Sequence, residues 1–208
     1  MTYHRTRGIR FSEKELFDLA AAWVALSVAF ALLLSLEPGG TIDIAALPRF
    51  TALSFVTVGV GFLLHELAHK VVAIRFGQLA EFRADYKMLV LAILSAMLGF
   101  LIAAPGAVYH RGRITVAQNG KVAIAGPLTN HALAALFAPL LFVPGPDLLT
   151  QIGHLGVLIN LFLAAFNMIP YGPLDGRTVL EWSKPIFAVT FVASVALLIG
   201  AYVELGLP

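Results

Sequence analysis

Five stretches of this 208-residue chain are apolar over a length close to 20 residues. They run over 17–36, 51–74, 122–143, 149–169 and 185–203. About 20 apolar residues in a helix cover the ~30 Å hydrocarbon core of a bilayer. A helix also satisfies its own backbone groups, which lipid cannot do. Glu37-Pro38-Gly39-Gly40 and Pro144-Gly145-Pro146 break the chain after the first and third stretches. Residues are 59% hydrophobic and 12% charged, with a mean hydropathy of +0.87, against about 25% charged in a soluble domain. The expectation is an all-α polytopic membrane protein in one domain, 1–208. Its core would be 51–176, with peripheral helices at 17–36 and 185–203. The net charge of +2 gives no reason to expect a nucleic-acid partner.

A sixth apolar stretch, 88–104, is long enough to cross once, so five to six transmembrane helices fit. Its flanks favour another path. Arg75, Arg83 and Lys87 precede it; His110, Arg111, Arg113 and Lys121 follow it. Positive charge on both sides suggests that both ends face the cytoplasm. With Gly99, Pro105 and Gly106 available for a bend, the stretch reads as a re-entrant or hairpin excursion. Residues 107–117 partly alternate and read as a short β element at the membrane surface. Arg5, Arg7, Arg10 and Lys14 predict a cytoplasmic N-terminus.

With no cysteine in the chain, a metal must be held by His, Asp or Glu. His65-Glu66-Leu67-Ala68-His69 lies inside the second apolar stretch. Residues four apart share a helix face, so both imidazoles can reach one ion, with Glu66 beside them as a general base. Two interfacial histidines at a helix end are the alternative. Ionisable residues at such depth are costly and usually have functional partners. His65 and His69 lie about 15 and 9 Å from Arg75 along a helix rising 1.5 Å per residue. The site therefore falls in the cytoplasmic half of the bilayer.

Catalytic zinc needs a third protein ligand. Asp175 is the best candidate, in a stretch that Pro170, Gly172, Pro173 and Gly176 keep from continuing as a helix. Taken alone, Pro173-Leu174-Asp175-Gly176 also suits an ordinary surface turn. Asn130 and Asn160 lie in apolar helices, where amides usually bond across helices; a substrate role is kept open for Asn130. His131 reads as a packed or supporting group, His110 as a loop residue and His154 as remote from the site.

Three elements in order resemble the site-2 protease type of intramembrane metalloproteases, peptidase family M50. They are His65-Glu66-Leu67-Ala68-His69, Ala125-Gly126-Pro127-Leu128-Thr129-Asn130, and Phe166-Asn167-Met168-Ile169-Pro170 with Pro173-Leu174-Asp175-Gly176. The resemblance implies one catalytic Zn²⁺ on His65, His69 and Asp175, with Glu66 as general base. It implies that Asn167 contacts substrate backbone or the developing oxyanion. The substrate would be a transmembrane segment of another protein, cleaved within the bilayer. Chain parity agrees: Asp175 reaches the level of His65 and His69 only if 88–104 does not cross. A non-catalytic metal-binding scaffold or transporter is the rival reading, but a transporter should spread ionisable residues over several helices.

Overall fold

A computed structural model describes residues 8–144 and 147–206. Arg5, Arg7, Gly145 and Pro146 lie outside the described residues. Helix α1 (Glu13–Leu34) starts at Ser12, whose hydroxyl accepts from the Glu15 N–H at 3.2 Å. Helix α2 (Leu47–Ser54) runs through a π-helical turn (Phe55–Gly59) into α3 (Val60–Arg75), giving one apolar rod of 29 residues. Trp23 donates its indole N–H to Phe55 O at 3.1 Å, beside that turn.

Strand β1 (Leu79–Ala84) follows, then the short helix α4 (Tyr86–Ala96) and strand β2 (Gly106–Arg111). The strands pair antiparallel, Leu79 opposite Arg111 through Ala84 opposite Gly106. Asp85 N–H continues the ladder onto Pro105 O at 3.0 Å. The excursion between the strands therefore leaves and returns at one end of the molecule. At 11 residues α4 is too short to span a bilayer, and 88–104 returns to the sheet as a hairpin excursion. Val90, Leu94 and Leu98 are exposed along it, while Ala92 and Ala96 pack on Ala29 of α1.

Helix α5 (Val116–Phe137) begins at a capping box, in which Thr115 and Gln118 each bond the other's backbone N–H. This start shortens the expected 107–117 strand to Gly106–Arg111 and brings the third span forward from 122. A 3₁₀ turn (Ala138–Phe142) ends it. Helices α6 (Asp147–Asn167), α7 (Asp175–Trp182) and α8 (Lys184–Leu205) complete the chain. Among the described residues five helical rods are long and apolar enough to cross a membrane, and the fold is that of a multi-pass membrane protein.

Helix α1 is less peripheral than its distance from the motifs suggests. Leu19, Leu26 and Phe30 join Phe62, Phe82 and Leu155 in the largest core cluster. Helix α8 buries only Ser194, and presents Val189, Val192 and Val203 outward.

Candidate metal centre

The motif helix places His65, Glu66 and His69 one after another on a buried face; none is more than 8% exposed. Asp175 arrives from elsewhere. After α6 ends at Asn167 the chain turns through Pro170 and Pro173 and starts α7 with Asp175 in its first turn. Gly176 permits this start: a Cβ there would sit 2.1 Å from Met168 O. Asp175 Oδ2 lies 3.2 Å from His65 Nε2 and 3.3 Å from His69 Nε2. The three donor atoms all fall within 4.8 Å of one another.

The hydrogen bonds behind the imidazoles decide what faces inward. His65 Nδ1 lies 2.6 Å from Asn130 Oδ1, and His69 Nδ1 lies 2.7 Å from Val122 O. Both partners are oxygen atoms that only accept, because Asn130 spends its amide nitrogen on Gly61 O at 3.2 Å and Asn160 Oδ1 at 2.9 Å. Each imidazole therefore carries its proton on Nδ1 and turns a lone pair on Nε2 towards Asp175. Asp175 Oδ2 is buried with no hydrogen bond. Three lone pairs meeting at this spacing need a positive charge between them. An ion with two imidazole nitrogens and one carboxylate oxygen matches a catalytic zinc site with an open position.

Gly126 of α5 lines the other side. A Cβ there would lie 2.5 Å from His65 Nε2 and from His69 Nε2, so α5 can approach the ligands only with glycine at this position.

A cavity of about 410 Å³ opens beside the cluster. Glu66 and Asn167 line it. Asn167 gives one N–H to Leu163 O at 2.9 Å, and its second has no partner among the described residues. Asn130 lies elsewhere: it is fully buried behind His65, and both its amide hydrogens are engaged. That leaves no Asn130 donor for a substrate carbonyl.

Two parts of the cavity wall carry no local sequence signal. His110 lines the cavity from β2 rather than lying in a remote loop. Leu26 and Phe30 of α1 form part of the wall. Only the strand pairing and α1's packing reveal these positions. His131 bonds Pro127 O and Ser194, joining α5 to α8, and His154 bonds Gly206 O. Neither touches the metal cluster.

Similar chains carry the same chemistry in their names. The chain is 43% identical over 188 residues to the provisionally named zinc metalloprotease MJ0611 of Methanocaldococcus jannaschii, covering 86% of this chain and 90% of that one. It is 29% identical over 171 residues to zinc metalloprotease MJ0392 of the same organism, covering 80% of this chain and 44% of the relative. It is 31% identical over 147 residues to the provisionally named zinc metalloprotease YwhC of Bacillus subtilis, covering 61% and 66%. No family model matches, and no solved structure does. A His65–His69–Asp175 group that could hold a metal ion, set among helices long enough to span a membrane, and a relative matched over nine-tenths of its length agree: the chain belongs to the zinc metalloprotease family that includes MJ0611.

Proposed function

We propose that this metalloprotease is of the site-2 protease type, peptidase family M50, and hydrolyses a peptide bond within or next to a transmembrane segment of another membrane protein. The observation that carries the reading is the position of the triad, buried among spanning helices beside a largely apolar cavity. The single domain would be the whole chain, working in the cell membrane with its N-terminus cytoplasmic and its site in the cytoplasmic half. The charge distribution supports that topology. The described Lys and Arg residues gather at the end of the molecule holding the sheet, the start of α5 and α7; Arg49 alone lies at the other end.

His65, His69 and Asp175 would hold Zn²⁺, with His65 and His69 oriented by Asn130 and Val122 O. Zinc bound there supplies a Lewis acid that lowers the pKa of water towards about 7. Glu66 takes a proton from the attacking water and delivers it to the leaving amine. Asn167 offers its free N–H to the oxygen that gains charge at the scissile carbonyl.

A helical substrate hides its carbonyls and must be extended before cleavage. Strand β2 offers an edge for that. The Asp85–Pro105 hydrogen bond fixes the ladder's alternation, so Gly106, Val108 and His110 turn their N–H and C=O away from β1. All three residues line the cavity. An extended substrate pairing there lies beside Glu66.

The test uses purified full-length protein in detergent or liposomes with a single-span membrane protein as substrate. Wild type should cleave it. Glu66→Gln should keep one zinc per chain and lose cleavage by about 10²–10⁴-fold, the usual share of acid–base catalysis. Asp175→Asn should lose zinc affinity. Undiminished cleavage by Glu66→Gln would sink the mechanism.

A further inference from the structure

We propose that Glu15 is a positioning residue, its buried charge neutralised by Lys70, that holds the open edge of β2 against the helix carrying His65 and His69. The proposal rests on the reading that β2 receives the substrate.

Lys70 directly follows His69, yet it is 1% exposed and its partner Glu15 is 0% exposed. Lys70 Nζ donates to Glu15 Oε1 at 2.6 Å, Glu15 Oε2 at 2.5 Å and Arg10 O at 2.7 Å. It also lies 4.1 Å from the centroid of the Phe11 ring. The ammonium is thus fully engaged, and it draws the start of α1 onto the end of α3.

Glu15 has a second task. Its Oε1 also accepts the Phe82 N–H at 3.0 Å. Phe82 stands opposite Val108 in the ladder. This pair exchanges no hydrogen bonds, so the Phe82 N–H points out one side of the sheet and the Val108 N–H out the other. Glu15 takes the first. The second faces the cavity, where Val108 and Glu66 are both lining residues. A carboxylate from α1 thereby closes the outer edge of β1 at mid-strand and leaves the β2 edge for an incoming chain. Phe82 also meets Phe62, one turn before Glu66, edge-on at 5.7 Å.

A two-stranded sheet is marginal by itself and needs an external anchor. Buried ion pairs are poor sources of net stability, since desolvation offsets the attraction. What this pair supplies is position: Lys70 neutralises the buried Glu15 charge, and the Glu15 side-chain oxygen fixes Phe82 and with it the register facing the cavity.

The experiment uses two double variants of the full chain in detergent. E15Q/K70M removes both charges but keeps a side-chain carbonyl for the Phe82 N–H. E15L/K70M removes that acceptor as well. Zinc content, amide hydrogen exchange at Phe82 and Val108, and KM and kcat on a single-span substrate are read for each. E15Q/K70M should match wild type in Phe82 protection and in KM. E15L/K70M should keep zinc and kcat, exchange Phe82 about tenfold faster, and raise KM about tenfold, the signature of lost substrate binding rather than lost chemistry. Wild-type KM and Phe82 protection in E15L/K70M would overturn the proposal. So would joint loss of zinc and kcat with unchanged Phe82 exchange. If E15L/K70M does not fold, E15Q/K70M decides alone: a tenfold rise in its KM or lost Phe82 protection overturns the proposal, and wild-type values support it. Failure of the wild type to cleave any membrane substrate is a separate result, which removes the function reading while Phe82 exchange still tests the anchor.

Discussion

Asn130 Oδ1 lies 2.6 Å from His65 Nδ1, and it is held there by a relay: Asn130 donates to Asn160 Oδ1, and Asn160 donates to Gly156 O at 2.8 Å. The relay joins α3, α5 and α6 at His65. Its orientation is unambiguous because each amide nitrogen has a carbonyl-type oxygen to meet. Removing it frees the His65 ring to rotate and exchange tautomers. Asn130→Ala should therefore weaken zinc binding by about 10–100-fold, the usual cost of losing such a partner. Competition with a chromophoric chelator measures it. Unchanged zinc affinity would show that His65 needs no orienting partner.

Gly126→Ala separates helix propensity from site geometry. In a helix interior alanine is favoured over glycine by about 1 kcal/mol, so propensity alone predicts a more stable protein. The added Cβ would instead sit 2.5 Å from both Nε2 atoms. The variant should lose zinc and activity together. Gly200→Ala, where nothing lies within 4 Å of the added carbon, should keep both. Zinc stoichiometry by elemental analysis reads the difference.

The parts of this protein that were legible in its sequence are those with strong local signals. Apolar runs gave the five spans, and the spacing of His65 and His69 placed two donors on one helix face. Positive flanks gave the hairpin path of 88–104, which β1 and β2 now close. Less was legible where a residue acts through a distant partner. Strand β1 has no clean alternation, and its burial comes from α1 and α3 rather than from its own pattern. Nothing local marks Glu15, whose partners Lys70 and Phe82 lie on α3 and β1. His110 read as a loop residue because the edge that carries it exists only once β2 pairs. The resemblance named Asp175, but only the tertiary structure shows its Oδ2 without a hydrogen bond and facing two lone pairs.

Gly106→Val should act on the strand edge and leave the metal alone. Gly106 has φ +149°, and a Cβ there would meet Arg83 O at 2.3 Å and Phe82 Cζ at 2.7 Å. The strand must shift away from β1 at the first of its outward-facing positions. The expected result is one zinc per chain, a KM raised about tenfold and a nearly constant kcat, as for lost uniform binding. Normal KM would mean that the edge near Gly106 does not contact substrate.

Metal removal tests the electrostatic argument for the triad most directly. Stripping zinc leaves three lone pairs converging at 3.2–3.3 Å, a repulsion that the unfolded chain does not have. Chelator treatment should lower the thermal midpoint in detergent, and zinc at 100 times its Kd should restore about 2.7 kcal/mol by linkage alone. Mg²⁺ should not substitute, since it requires an octahedral set of oxygens that two imidazoles cannot provide. Asp175→Asn should be less sensitive to chelator, because the neutral amide can donate a hydrogen bond to an imidazole nitrogen where the carboxylate cannot. Its zinc-dependent gain should shrink accordingly. A wild-type midpoint indifferent to both chelator and zinc would mean that the cluster is not a metal site.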